Sequence, residues 1–311
     1  MKIPATGAML MAAGKVCLFD APMLESLNKQ ILSGVSMSKL IITVALNGSV
    51  PTKEMNPHTP IAPDEIAAAA LKCREAGASV AHVHARDLEG KPTLDPDIFA
   101  QIHRRISEAT DMIVQISTGG RADLDAQLRA EPVLRIAPEM ASLTTGSMNF
   151  PDQVYANSFE TVETLARAMK TVGTKPEMEI FEAGMIDNAL LLLKQGLVEA
   201  PLHFDFVMGS RGSQPATARQ LVFLSESIPR EATWTVAALG RHQLPMAMQA
   251  IAMGGHARVG LEDNIYYRYG KLASNEALVA RVARIATEAE REVATPDEAR
   301  EIMSLKGGHS P

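Results

Sequence analysis

The chain has 311 residues, 46% of them hydrophobic and 21% charged, so it can bury a substantial core and a largely disordered chain is excluded. Its 30 Lys and Arg stand against 36 Asp and Glu, a formal charge of −6 that offers no general basic face for nucleic acid. Two cysteines, Cys17 and Cys73, are too few for a secreted disulfide scaffold and point to the cytoplasm, and no apolar run reaches the roughly 18–20 residues that span a bilayer.

Residues 1–38 show no clear periodicity and read as an extension outside the core. The apolar stretch Met9 to Ala13 is short and lacks a convincing cleavage site, which argues against a signal peptide. Met37 stands immediately before the first strong strand and is expected to be the natural start. Residues 39–305 are expected to form one catalytic domain, with 306–311 a tail.

From Leu40 onward β-rich runs alternate with helical ones. The first strand, Leu40 to Leu46, is apolar and β-branched and ends at Asn47-Gly48. Pro63-Asp64-Glu65 opens a helix that Gly77 stops. Strands follow at Ser79–Ala85, Met112–Ser117, Met140–Leu143, Glu177–Phe181, His203–Met208, Thr233–Ala238 and Ala257–Leu261. Between them helices are predicted at Asp95–Ala109, Asp123–Arg129, Phe159–Thr171, Met185–Gln195, Thr217–Glu226 and Pro245–Met253, with a long closing helix over Asn275–Glu292. Eight such units over roughly 250 residues predict an α/β fold, a (β/α)8 TIM barrel. An open doubly wound sheet also alternates, but no Gly-x-Gly-x-x-Gly follows the first strand.

Barrel chemistry sits at the C-terminal strand ends. On the second strand, His82 and His84 are two residues apart and so project from one face. Two imidazoles side by side suit zinc, although hydrogen bonds alone could also satisfy them. A third ligand is available after the eighth strand, where Glu262 and Asp263 begin a loop; the residues alone leave open which ligates and which acts as a base. Glu177 and Glu179 share a face of the fifth strand, as catalytic groups or as a structural network. The hydroxyls of Ser117 and Ser142 stand near the ends of the third and fourth strands. Gly209–Pro215 is a flexible, ligand-sized loop, His58, His103 and His309 read as surface residues, and Trp234 and the stretch Met246–Met253 read as core or interface packing.

Four segments, in order, resemble the β-keto acid cleavage enzymes: His82-Val83-His84-Ala85-Arg86-Asp87, Gln115 to Gly120, Pro138 to Ser142, and Gly254-Gly255-His256 through Asn264. The resemblance runs from Leu40 to about Met303. It implies a divalent metal, usually zinc, on His82, His84 and Glu262, with Asp263 as catalytic base, Arg258 supporting it and Glu179 as a further acidic group. It also implies that Ser117 and Ser142 anchor the substrate carboxylate, Ser142 replacing the threonine of the 3-keto-5-aminohexanoate enzyme. Where that enzyme meets a substrate ammonium with glutamate, this chain has Val50, which favours a neutral or apolar side chain. The implied reaction converts a β-keto acid and acetyl-CoA to acetoacetate and a new acyl-CoA, and the implied assembly is a homotetramer. Within the loop Gly209–Pro215, Ser210–Gln214 is then a candidate rim for CoA. A zinc hydrolase on the same barrel and a non-catalytic metal-binding barrel are the rival readings.

Overall fold

The computed structural model describes residues 10–12, 15–17, 37–119, 125–151 and 153–305. It divides into two compact units, Met1–Ser38 and Lys39–Pro311. Of the first unit, two short strands are described, Leu10–Ala12 and Lys15–Cys17, paired antiparallel. Residues 1–9, 13–14 and 18–36 lie outside the described set, as do His309 and the predicted tail, and the expectation that translation starts at Met37 falls largely on them.

The second unit is a closed parallel barrel. Its strands are β1 (Ile42–Ala45), β2 (Val80–Val83), β3 (Ile113–Ile116), β4 (Met140–Thr144), β5 (Lys175–Ile180), β6 (His203–Met208), β7 (Thr233–Ala238) and β8 (His256–Val259). Each pairs with its sequence neighbour, and β8 closes on β1 with Arg258 opposite Thr43. The crossover helices are α1 (Pro63–Glu75), α2 (Pro96–Ala109), α3 (Ala126–Ile136), α4 (Phe159–Val172), α5 (Gly184–Lys194), α6 (Ala218–Glu226) and α7 (Gln243–Met253); α8 (Asn275–Glu288) and α9 (Pro296–Met303) follow β8.

The alternation along each strand sorts the side chains. On β6, Phe204 and Phe206 belong to the apolar core shared with the helices, while His203 and Asp205 are buried on the opposite face, toward the barrel axis. Glu177 and Glu179 on β5 and His256 and Arg258 on β8 are buried in the same alternating pattern, so the upper barrel interior is polar. Its lower end is apolar. Ile41, Val80, Ile113 and Met140, at the starts of β1 to β4, pack with Ala294, Ala299 and Met303 from the C-terminal segment. Burial of each such large side chain stabilises by about 1.5–3 kcal/mol. Arg300 of α9 fastens this closure with two bonds to Glu139, of 2.7 and 2.8 Å.

Strand boundaries agree with the sequence reading within about two residues, but three features differ. The helix expected to end at Arg129 continues to Ile136 with Pro132 inside it, because Ala130, Pro132 and Val133 are buried and that burial offsets the proline's lost bond. The closing helix stops at Glu288; Glu290 takes φ 55°, and a separate helix starts with Thr295 and Glu298 bonded reciprocally to each other's backbone amides. His103, read as a surface residue, is half-buried on α2, whereas His58 is exposed. Trp234 is partly buried against the core, its ring centroid 5.7 Å from that of Phe206.

Candidate active site

The end of β2 presents both imidazoles to one point. His82 Nε2 lies 3.3 Å from His84 Nε2, and Glu262 brings one carboxylate oxygen to 3.6 Å from the first and the other to 3.3 Å from the second. Three local devices hold this arrangement. His82 Nδ1 donates to Gln115 Oε1 at 2.6 Å, a contact that fixes the tautomer and leaves Nε2 with its lone pair free. The backbone of His84 is clamped by Asn47, whose Oδ1 accepts the His84 N–H and whose Nδ2 donates to the His84 carbonyl. Gly48, with φ +59°, turns the chain after β1, and a Cβ there would lie 2.5 Å from Glu262 Cγ, so this glycine leaves the room that Glu262 occupies.

The chemistry of this donor set fits a divalent cation. Burial pushes the His82 pKa down to about 4, so the ring is a neutral imidazole. Burial alone would raise Glu262, but the adjacent Arg258 guanidinium outweighs it and holds its carboxyl well below the usual range. Glu262 Oε2 is buried and accepts no hydrogen bond. Such an orphaned carboxylate oxygen is costly unless a cation meets it.

Around this point the charges do not balance. Arg258 donates to Asp263 through Nε and Nη2, both at 3.0 Å, and to Glu262 at 2.7 Å. It also faces Asp205 at 3.5 Å and Glu179 at 3.8 Å. Below them Glu177 meets His203 Nε2 at 3.2 Å. In this group one guanidinium stands against five carboxyls, three of them buried and two half-buried, and several are correspondingly harder to ionise. Burial, reinforced by Glu177, pushes Asp205 well above the usual carboxylate range, and burial raises Glu179. Asp263 is pushed up to about 6 by burial, with Arg258 opposing and Glu262 adding to the rise.

A cavity of about 610 Å³ opens over these groups, with His84, Glu262, Glu179 and Ser117 at its polar side. Leu94, Phe99, Leu128, Phe150 and Phe181 supply apolar wall, and Val50 stands 71% exposed at the edge. The loop that carries Val50 is tied down by the buried Arg86, which donates to the carbonyls of Gly48 and Pro51. Ser117 lines the cavity; Ser142 does not. Its Oγ accepts the Thr118 N–H at 3.3 Å, one layer behind Ser117. Asp263 is not itself a lining residue; it lies against Arg258, directly after Glu262, which lines the cavity. The loop Ser210–Gln214 lies outside the cavity lining.

Sequence reasoning missed several participants. Gln115 stood inside a quoted segment, and its position opposite His82 on β3 was the available signal. Asn47 looked like a turn residue. Thr144, which donates to Glu179, lies at the end of β4. Tyr155 arrives on a two-residue strand, paired with Met148–Asn149, that no periodicity announces.

Comparison with known proteins places the chain in a family. The family model described as beta-keto acid cleavage enzyme matches residues 39–305. Over 273 residues the chain is 49% identical to the 3-keto-5-aminohexanoate cleavage enzyme of Fusobacterium nucleatum subsp. nucleatum, covering 87% of this chain and 99% of that protein. Over 280 residues it is 40% identical to the 3-oxoadipate:acetyl-CoA acetyltransferase of Cupriavidus necator, covering 87% and 98%. The apo structure of ObcA superposes with a TM-score of 0.71 at 21% identity, over 81% of this chain and 66% of that one, a likeness of fold. By the extent of the family match and of these alignments, the chain belongs to the beta-keto acid cleavage enzyme family.

Proposed function

We propose that this enzyme converts a β-keto acid and acetyl-CoA to acetoacetate and a new acyl-CoA. The observation that carries the reading is the convergence of His82, His84 and Glu262 beside Arg258-bound Asp263, under a cavity with one polar side and an apolar wall. The relatives' names support the same chemistry. In the reaction the bond between C2 and C3 of the keto acid breaks. C2 gains a bond to the acetyl carbonyl carbon, and the acyl group at C3 leaves on the CoA sulfur, so atoms balance without an oxidant.

His82, His84 and Glu262 would hold a divalent cation, which we propose is zinc, and which supplies Lewis-acid stabilisation of the charge that develops on the keto oxygen. Asp263 takes the α-proton from C2 onto its carboxylate and returns it to C2 after the C2–C3 bond has broken, and a pKa near 6 suits it to both steps at neutral pH. Arg258 fixes the direction of that carboxylate through two parallel bonds. Ser117 Oγ accepts the Gly119 N–H at 3.1 Å and keeps its own hydrogen to donate to the substrate carboxylate. Ser142 orders the Ser117–Thr118 turn from behind, and Glu179 supplies the acidic edge of the cavity. Val50 and the apolar wall favour a neutral side chain on the keto acid. We further propose a homotetramer in the cytoplasm, supported by the family resemblance and by the low cysteine content. No helix among the described residues is long and apolar enough to cross a membrane.

The test is acetoacetate release by zinc-loaded protein across a panel of β-keto acids, with and without acetyl-CoA. Acetoacetate formed only with acetyl-CoA is the expected result. Turnover without it would replace this reading with a hydrolase, and silence across the panel with metal bound would favour a non-catalytic barrel.

A further inference from the structure

Tyr155 has no part in the mechanism above, yet it is 7% exposed and lines the cavity. Its ring is fixed by stacking on Phe150, centroids 5.4 Å apart, and by an edge contact with Phe181 at 6.2 Å. Its hydroxyl lies 3.2 Å from Thr144 Oγ1, long for a hydroxyl–hydroxyl bond, and Thr144 in turn donates to Glu179.

Gly119 shows where the phenol points. A Cβ placed there would lie 3.1 Å from Ser117 Oγ, 3.3 Å from Tyr155 Oη and 3.9 Å from His84 Cε1. Three groups therefore converge on the face of Gly119, where the lack of a side chain lets a ligand approach the backbone from the cavity. Two of them are hydroxyls and the third is a proposed metal ligand. Burial raises the phenol pKa, so the group keeps a hydrogen to donate. An ionised acceptor placed over that face would draw the hydrogen away from the weak Thr144 contact, because charge-assisted bonds are about twice as strong as neutral ones.

We propose that Tyr155 Oη is a further substrate-binding group, donating together with Ser117 Oγ to the carboxylate of a β-keto acid seated in the cavity over the face of Gly119. The inference rests on the reaction proposed above and adds a residue and a position to it. Two donors on one carboxylate fix the plane of the substrate, and so present its α-carbon in one orientation.

The experiment uses zinc-loaded protein and acetoacetate, the smallest β-keto acid of the reaction, as the calorimetric probe. Steady-state KM values for keto acid and for acetyl-CoA are measured separately. Tyr155→Phe keeps the stacked ring, and it is expected to weaken acetoacetate binding and raise the keto acid KM about tenfold, with the acetyl-CoA KM unchanged. Gly119→Ala covers that face and is expected to raise the same KM. Wild-type acetoacetate affinity in Tyr155→Phe, or a loss confined to the acetyl-CoA KM, would overturn the assignment. A parent protein that neither binds acetoacetate nor releases it would instead overturn the proposed reaction, and the role of Tyr155 with it.

Discussion

Arg258 and Asp263 meet through two parallel hydrogen bonds, Nε to Oδ2 and Nη2 to Oδ1, each 3.0 Å long. The same Nη2 also donates to Glu262 at 2.7 Å, so one rigid fork links the proposed base to a proposed metal ligand. Asp263→Asn keeps the size of the side chain and one acceptor for Arg258 but removes the basic oxygen. Its kcat is expected to fall by about 10²–10⁴-fold while bound zinc stays at the parent level. Metal content by atomic spectroscopy, read beside turnover, checks both halves, and an undiminished kcat would require a different base.

Gln115 offers a second handle, one residue removed from the proposed metal ligands. Replacing it with Met removes the acceptor for His82 Nδ1 and frees the ring to rotate or change tautomer. Zinc affinity is expected to drop about 10–100-fold, measured by competition with a chelator. His84→Ala, which removes a ligand itself, should lose more. Unchanged affinity in Gln115→Met would mean that packing alone orients His82.

Val50→Glu probes selectivity without stressing the fold, because the side chain is 71% exposed at the cavity edge. The ratio of kcat/KM for ammonium-bearing over neutral β-keto acids is expected to rise about tenfold, which corresponds to about 1.4 kcal/mol. A ratio that does not move would place side-chain selection elsewhere on the wall.

His256 makes stability depend on pH with a definite sign. Its Nδ1 accepts the Ile41 N–H at 3.1 Å, and burial, then His203 and Arg291, pull its pKa well below the ordinary 6.5. Between the lowered value and 6.5 the unfolded chain binds a proton that the folded chain refuses. The folded state therefore has its full stability above pH 6.5 and loses some as the pH falls below it. His256→Asn still accepts the Ile41 N–H and carries no titrating ring. Urea unfolding of the metal-free proteins at pH 7, 6 and 5 should show the parent losing more stability than the variant, with the difference approaching about 1.4 kcal/mol per pH unit below 6.5. Parallel pH dependences would remove His256 as the source.

The barrel was legible because the strands are short apolar or alternating runs, most of them closed by Gly or Asn, and period 2 places His82 beside His84 and Glu177 beside Glu179 without further knowledge. What escaped depends on partners far apart in sequence. Glu262 was placed with His82 and His84 by the family resemblance and by no local pattern, because it reaches His84 only where β8 closes on β1 and Gly48 leaves room. Ser142 entered as a substrate contact through the family resemblance alone, and no local pattern shows that its Oγ also accepts the Thr118 amide. The final helix was passed over although Thr295-Pro296-Asp297-Glu298 carries a complete start signal, since the preceding helical pattern ran into it unbroken. Tyr155 depends on a pair of two-residue strands, too short for periodicity to register.

The sequence contains a single tryptophan, Trp234, at the beginning of β7. A Cβ on Gly255, just before β8, would lie 2.2 Å from its indole, so the ring rests directly on bare backbone at the junction of these two strands. Indole emission therefore reports on one seam of the barrel, unmixed with signals from elsewhere in the chain. The protein carries an intrinsic optical gauge of whether β7 and β8 are joined, and the unfolding curves above can be read from it without a label.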